Sequence, residues 1–282
     1  MKKLLIFLVL ASTCSIQLSA WGRLGHATIN KIAEDHLTKT TRERVKEIMH
    51  GESIVTFASL PDDARDRFNR DFVPEWKKDA KGFSHTYEVD ENLQAYRGTD
   101  DGGRYVTNAI FFIDGFANDL ANAENRPDSA NFIELAMLCH FIGDMHCPGH
   151  VRYQPKRDIA NKVWMNWNGE KKNYHTIWDN DAVTFIYPWS WSDFAALCDI
   201  CSKKQIAEIV KGDYYDWAHD CAVVSKPCRD CYRKGRTYDL DREWFMDHAS
   251  LVRSQIRNAG YRLAHELNLL FDPRYARKYR KQ

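Results

Sequence analysis

The sequence predicts an all-α fold, a single helical domain that carries one small β-hairpin. Along several long segments, apolar residues recur at spacings of three and four, the period of an amphipathic helix. Only KVWMNWNGEKKNYH has a hairpin signal, because its Asn168-Gly169 dipeptide is typical of a type I′ turn. No internal repeat, low-complexity tract or linker divides the chain, and 282 residues suffice for one domain with a substantial core.

The first half of the chain contains three predicted helices. The first spans 24–37 and places Ile29 and Ile32 on one side. The second spans 40–51 and stops at a glycine, and the third spans 104–125. Each of these segments is long enough to form a helix that packs through one apolar face.

The second half contains two further predicted helices. Asn131, with Glu134 three residues later, indicates an N-cap pair at the start of one helix, and Pro148 is expected to end it. The other helix is the longest and spans 241–271. Its predicted core positions follow the helical period: Val252, Ile256, Ala259, Leu263, Leu267 and Leu270.

Residues 1–20 have the composition of a secretory signal peptide. Two lysines precede a short apolar run, and small residues follow up to Ala20. Lipid attachment at Cys14 is a less favoured alternative. We therefore expect cleavage after Ala20, export to the periplasm or out of the cell, and a mature domain of residues 21–282 without a membrane anchor.

The charge balance limits the function classes. Removing the leader with its two lysines changes the formal net charge from +1 to −1. This balance argues against a broad basic surface for duplex nucleic acid. If the protein handles phosphates, metal ions or a few arginines must hold them. We also expect the protein to be a monomer.

Seven cysteines remain after the leader. Since an exported protein meets an oxidising compartment, disulfides are expected. Two Cys-x-x-Cys units leave a structural zinc site open as the less favoured alternative, because the gap between them exceeds the usual zinc-ribbon spacing. An odd count leaves one thiol over, expected to be buried Cys139 or Cys147. The two Cys-x-x-Cys units are Cys198/Cys201 and Cys228/Cys231.

Histidines and carboxylates cluster on a segment that is otherwise apolar, CHFIGDMHCPGH. His140 and Asp144 lie four residues apart and share a helix face. Burying such groups without partners costs about 2–7 kcal/mol each, so a bound cation would explain them. A single pair is weak evidence, but a second pair of the same spacing favours metal binding. The candidate ligands are His26, Asp62 or Asp63, His85, His140, Asp144, His150, His175 and Asp179.

The remaining histidines are interpreted as ordinary surface or packing residues. His146 is expected to point away from the face that carries His140 and Asp144. The others in this class are His36, His50, His219, His248 and His265.

These motifs together resemble those of the zinc-dependent single-strand nucleases of the P1 and S1 type. The likeness rests on WGRLGH at the mature N-terminus, an Asp followed three residues later by an Arg, a lone His, HFIGDMHCPGH, NYHTIWD and the C-terminal QIRNAGYRLAHELN. It covers essentially the whole mature chain. The resemblance implies a helical fold of the phospholipase C/P1 nuclease type, three zinc ions, and hydrolysis of single-stranded DNA and RNA to 5′-nucleotides. It also implies removal of 3′-phosphate from nucleotides.

The same resemblance implies a role for individual residues. Asp62 and Asp144 would act with Arg65 in catalysis, and Arg65 would support charge on the phosphate. Asp144 would bridge two metal ions. The implied zinc ligands are Asp62, His85, His140 and Asp144 for the first ion; His150, His175 and Asp179 for the second; and the amine and carbonyl of Trp21, His26 and Asp144 for the third.

The sequence also departs from the family pattern. Thr86 stands where these nucleases usually carry an aromatic residue that stacks on the base, and Tyr87 or Tyr153 are candidate substitutes. The stretch ending at Asn161 is altered, and Leu60 replaces a frequent tryptophan. Two alternative functions therefore stay open. One is a zinc phospholipase C, although those lipases carry Glu at the position of Asp179. The other is a non-catalytic metal- or phosphate-binding protein.

Overall fold

The computed structural model describes residues 21–64, 67, 83–99, 105–106, 108–153 and 162–279. Predictions for the leader 1–20, Arg65 and Asn161 lie outside these residues. The helices are α1 (Gly22–Asp35), α2 (Lys39–Ile48), α3 (Leu60–Asp63), α4 (Ala109–Leu120), α5 (Asp128–Met145), α6 (Tyr174–Thr176), α7 (Ala182–Ile186), α8 (Trp191–Cys198), α9 (Lys203–Ile209), α10 (Tyr214–Asp230), α11 (Arg242–Phe271) and α12 (Pro273–Tyr279). The strands are β1 (Tyr87–Val89), β2 (Gly98–Thr99), β3 (Tyr105–Val106), β4 (Val151–Tyr153), β5 (Trp164–Trp167), β6 (Glu170–Asn173) and β7 (Thr237–Asp239).

The predicted helical fold is confirmed, and its centre is the packing of α1 and α5 against the long helix α11. A Cβ added at Gly260 on α11 would lie 2.6 Å from Ile32 on α1, so the glycine allows this close approach. The apolar positions predicted for α11 are buried, among them Val252, Ile256 and Leu263, except that Leu270 near the end of the helix is only half-buried. Helix α4 also packs against α5.

The β-structure is small, as the sequence predicts. Strands β5 and β6 form the hairpin, and Asn168 and Gly169 have φ angles of 55° and 80°, which a type I′ turn requires. Strand β7 pairs with β5 in parallel. Elsewhere, β1 pairs with β4 in parallel and so joins the chain after His85 to the chain after His150.

Two predicted helix starts are wrong. Helix α4 begins at Ala109, not at 104, because the Asn108 side chain accepts a hydrogen bond from Phe111 N and Tyr105–Val106 forms strand β3. Helix α5 begins three residues before the predicted cap, directly after Pro127, and it ends at Met145, ahead of Pro148.

The predicted cap residues of α5 have other partners. Asn131 donates from its side-chain amide to Ala123 O at 2.8 Å, and the buried carboxyl of Glu134 accepts a hydrogen bond from Arg126. Arg126 also pairs with Asp119 on α4, so one arginine joins two carboxylates. Through Arg126, Glu134 therefore links α5 to α4, and it does not cap a helix.

The predicted disulfides are not formed in this structure, because the seven cysteines of the described part are free. Cys198 lies near Arg253 and Arg257 of α11, whereas Cys228 has Cys231 as its neighbour. The two Cys-x-x-Cys units thus have different surroundings. Burial raises the pKa of the Cys198 thiol to about 12 and that of Cys228 to about 11, which keeps both thiols protonated.

Among the described helices, none combines the length and the apolar character that a membrane span needs.

The buried carboxyl of Glu134 leads to a prediction about pH. Burial and the neighbouring Asp119 raise the pKa of Glu134 to about 8, so the folded state keeps a proton that the unfolded state releases near pH 4.5. The free energy of unfolding should therefore fall as the pH rises from 5 to 9, and Glu134→Gln should reduce this fall by about 1 kcal/mol or more. Urea unfolding at several pH values measures it.

Glu124→Gln is the matched control, because Glu124 is exposed on the neighbouring 3-10 turn. This variant should keep the pH dependence of the wild type. Equal pH profiles for Glu134→Gln and the wild type would contradict the predicted titration.

Candidate metal centre

Seven elements of the fold bring the predicted ligands to one buried place. The side chains of His26, His140, Asp144 and Asp179 are fully buried. His175 is the most exposed of the predicted ligands, with 12% of its side chain accessible. The contributors are His26 on α1, Asp62 on α3, His85 before β1, His140 and Asp144 on α5, His150 in the 3-10 turn Pro148–His150, His175 on α6 and Asp179 in the π-helical turn Ile177–Asp181.

The first group surrounds the carboxylate of Asp144. Its Oδ2 lies 2.6 Å from His85 Nδ1 and 3.4 Å from His140 Nε2. Asp62 completes the group, with its Oδ2 3.2 Å from His140 Nε2 and its Oδ1 3.7 Å from His85 Nδ1. Two imidazoles and two carboxylates thus converge on a volume that one cation could fill.

A second group lies in the elements that follow the C-terminal end of α5. His150 Nε2 and His175 Nε2 approach to 2.6 Å, and Asp179 lies 3.5 Å from the first and 3.2 Å from the second. Two ring nitrogens at this distance need a proton or a cation between them. Cys147 places its Sγ 3.5 Å from Asp179 Oδ1, which makes it a further potential ligand that sequence reasoning missed.

A π-helical turn contributes Asp179 to the second group. His175 and Asp179 share a face at the predicted spacing of four, although the helix changes from α to π between them. Such π-helical turns are frequent at functional sites. Gly149 allows the approach of the neighbouring turn, because a Cβ there would lie 3.2 Å from Trp178 and 3.3 Å from His175.

The third group joins the first turn of α1 to Asp144. His26 Nε2 lies 3.2 Å from Asp144 Oδ1, and the His26 ring stacks on that of His140 at 3.9 Å. A Cβ at Gly143 would lie 2.8 Å from His26 Nδ1, so this glycine leaves the room that His26 occupies. Trp21 is fully buried, and its indole Nε1 donates to Gly143 O at 3.0 Å.

Hydrogen bonds to backbone carbonyls fix the orientation of two rings. His140 Nδ1 donates to Ala58 O at 2.9 Å, and His150 Nδ1 donates to His85 O at 2.6 Å. In each ring, Nε2 is therefore left to face the cluster as a lone-pair donor. This is the arrangement usual for histidines that bind a metal.

Several buried polar atoms of the cluster form no hydrogen bond of normal geometry within the described residues. They include His26 Nδ1, His140 Nε2 and Asp179 Oδ2. Buried polar atoms are otherwise paired in the great majority of cases. Since these residues are good metal-ligand types and belong to the three groups described above, the donor set fits divalent cations.

The protonation of the cluster agrees with this fit. Burial raises the pKa of Asp144, but the attraction of His140, His85 and His150 together outweighs it, so the pKa lies well below its ordinary value. Burial likewise opposes protonation of His140, whereas Asp144 and Asp62 raise its pKa to about 9. Burial lowers the pKa of His175 to about 4 and raises that of Asp179 to about 8. A cation would therefore displace protons from His140 and Asp179 on binding.

Asp63 and His146 lie close to predicted ligands in the sequence, but the structure places them outside the cluster. Asp63 points away from the cluster and forms an ion pair with Arg23 at 2.6 Å. His146, as predicted, has no place in it: its Nδ1 donates to Ile142 O, and its Nε2 accepts from Arg262 at 3.1 Å.

A helical fold that buries three groups of histidines and carboxylates defines a class of helical metal-binding proteins. Comparison with known proteins narrows this class. The model of one family, the S1/P1 nucleases, matches residues 21–272. Endonuclease 4 of Arabidopsis thaliana is 27% identical, with 91% of each chain covered.

Two fungal relatives cover the chain to a similar extent. Nuclease S1 of Aspergillus oryzae is 25% identical over 89% of this chain and 91% of its own. Nuclease P1 of Penicillium citrinum is 22% identical over 88% of this chain and 97% of its own. The chain belongs to the S1/P1 nuclease family.

The adjacent carboxylates Asp62 and Asp63 provide a test of the cluster. Asp62→Asn should release about one metal equivalent per chain, because a neutral amide is a weaker ligand than a carboxylate. Asp63→Asn should keep the metal content of the wild type, since Asp63 pairs with Arg23 outside the cluster. Elemental analysis after dialysis measures both. Equal metal content in the two variants would contradict the assignment of Asp62.

Proposed function

We propose that this chain is a zinc-dependent phosphodiesterase that hydrolyses single-stranded DNA and RNA to 5′-nucleotides and removes the 3′-phosphate from nucleotides. Membership of the S1/P1 nuclease family supports nuclease activity. The observation that carries the proposal is the position of Asp144. This fully buried carboxylate has one oxygen beside His26 and the other beside His85 and His140, as a carboxylate shared by two cations would.

The proposed ligand sets are those that the sequence resemblance implies. A mixture of imidazole nitrogen and carboxylate oxygen is typical of zinc. We assign one ion to Asp62, His85, His140 and Asp144; a second to His150, His175 and Asp179; and a third to the amine and carbonyl of Trp21, His26 and Asp144.

The chain's own residues would prepare the reaction. When bound, zinc ions supply a coordinated water of lowered pKa and positive charge for the phosphate. Asp62 and Asp144 hold the negative charge that keeps the cations in place, and the backbone carbonyls behind His140 and His150 fix the direction of their ligand atoms. Arg65 would donate to the phosphate oxygens, where charge increases in the transition state.

The setting of the enzyme is part of the proposal. Residues 1–20 would direct export, and residues 21–282 would act as one domain and as a monomer in the periplasm or outside the cell. The predicted partners are single-stranded DNA or RNA and 3′-nucleotides, without attachment to a membrane.

A substrate panel tests the proposed activity. Zinc-loaded protein starting at Trp21 should hydrolyse single-stranded DNA, RNA and 3′-AMP, and it should leave phosphatidylcholine intact. Asp144→Asn should lower kcat on all three substrates by at least about 10²-fold, because it weakens two metal sites together. Its far-UV circular dichroism should remain that of a helical protein.

Asp128→Asn is the control on the same helix, since Asp128 is exposed at the start of α5. It should retain the wild-type rates. Hydrolysis of phosphatidylcholine in preference to nucleic acid would identify a phospholipase instead, and full activity in Asp144→Asn would contradict the shared-carboxylate site.

The proposed role of the Trp21 amine predicts an effect of the N-terminus. A terminal amine has a pKa of about 7.7–8.0, so zinc can displace its proton near neutrality, whereas an amide nitrogen is a poor ligand. Protein starting at Ala20 should therefore bind less zinc and cleave single-stranded DNA more slowly than protein starting at Trp21. Zinc per chain and kcat are the measurements. Equal values in the two proteins would exclude the amine as a ligand.

A further inference from the structure

The base-stacking positions predicted from the sequence do not provide a stacking surface. Thr86 is buried, and its backbone carbonyl accepts from Ala109 N. Tyr87 is fully buried and donates its hydroxyl to Ala218 O, and Tyr153 is buried and donates to Ala222 O. Both tyrosines thus belong to the core, and a substrate base needs a different surface.

A pocket beside the metal centre offers such a surface. It has a volume of about 600 Å³ and lies between the first turns of α1, the chain from Ser53 to Leu60, and the start of α8. Its size is within the range of about 300–1,000 Å³ that is usual for small-ligand sites. The side chains that matter are Arg23, Leu24, Phe57, Leu60, Asp63 and Trp191.

The pocket and the candidate metal centre share a wall. Ala58 lines the pocket, and its carbonyl accepts the hydrogen bond from His140 Nδ1. Asp63 follows Asp62 directly in the sequence, and Arg23 is two residues from Trp21. The pocket is thus separated from His140 by Ala58, so a strand with one phosphate at the metal centre would place another of its nucleotides in the pocket.

The lining matches the chemistry of one nucleotide. Trp191 is 39% exposed and presents part of its indole, and Phe57 is held by an edge contact with Phe132 at 4.9 Å. Aromatic side chains stack on any base, with little dependence on sequence. Leu24 and Leu60 extend this apolar lining.

The cation at the pocket is available to a phosphate. The Arg23 side chain is 77% exposed, and its partner Asp63 is 38% exposed. Surface ion pairs of this kind stabilise a protein little, so exchanging Asp63 for a phosphate has a small cost. A guanidinium also matches phosphate geometry with two parallel hydrogen bonds.

We propose that this pocket binds one nucleotide of a single-stranded substrate, with the base on Trp191 and Phe57 and a backbone phosphate on Arg23. The inference rests on the proposed nuclease function and names the subsite that replaces the missing stacking residue. A base stacked and paired within a duplex cannot enter the pocket, so the pocket also contributes to the preference for single strands.

The test compares Trp191→Ala with Trp189→Ala in the zinc-loaded enzyme. Trp189 is 80% exposed, two residues earlier, and does not line the pocket, which makes it a matched control. The substrates are dT8 and methyl 4-nitrophenyl phosphate, which has no base. Binding is measured by the anisotropy of labelled, phosphorothioate-linked dT8, which is hydrolysed slowly.

Trp191→Ala should raise the Kd of labelled dT8 by about 5- to 100-fold and should lower kcat/KM for dT8 relative to that for the small diester by a similar factor. Trp191→Phe should restore most of the loss, and Trp189→Ala should behave as the wild type. Arg23→Ala should weaken binding and reduce its salt dependence by about one phosphate contact. If Trp191→Ala fails to fold, the Kd of Arg23→Ala and its salt dependence alone decide whether the pocket binds a nucleotide.

The outcomes separate the two proposals. Wild-type protein that hydrolyses neither substrate overturns the proposed function, while the anisotropy measurement still decides whether the pocket binds a nucleotide. Wild-type activity together with an unchanged Kd in both Trp191→Ala and Arg23→Ala overturns the pocket. If Trp191→Ala lowered kcat/KM equally for dT8 and for the small diester, the proposed pocket would also be overturned, because the substitution would then act on the metal centre and not on base binding.

Discussion

The interaction on which this structure depends is the burial of Asp144 among three histidines. A carboxylate without exposure is stable only beside compensating charge, and here His26, His85 and His140 approach it from α1, from the chain before β1 and from α5 itself. Protonated histidine supplies part of that charge, and divalent cations would supply more. The convergence of these elements on α5 is thus a requirement of electrostatics as well as of apolar packing.

Backbone features make this convergence possible. Gly143 leaves room for His26, Gly149 lets the turn after α5 approach His175, and the π-helical turn Ile177–Asp181 carries Asp179. Since a Cβ at Gly143 would lie 2.8 Å from the His26 ring, even alanine would displace a candidate ligand. Helix packing and the candidate metal centre therefore constrain the same positions, and the buried ligands form part of the core of the domain.

Contacts between residues on one helix could be predicted from the sequence, whereas contacts between separate elements of the fold could not. The pairs His140/Asp144 and His175/Asp179 follow from helical spacing alone. By contrast, Glu134 resembled a capping residue, because its neighbour Asp119 comes from α4, a separate helix, while Arg126 lies between α4 and α5. The pocket with Trp191 was not predictable for the same reason. Its walls come from α1, the chain before α3 and α8, which no local pattern connects.

The most direct test of the account is the location of zinc in crystals of the protein, from anomalous diffraction on both sides of the zinc absorption edge. The account predicts three peaks around α5, two of which share the carboxylate of Asp144. A structure in which no peak lies beside Asp144, with His26, His85 and His140 contacting only one another or water, would contradict it.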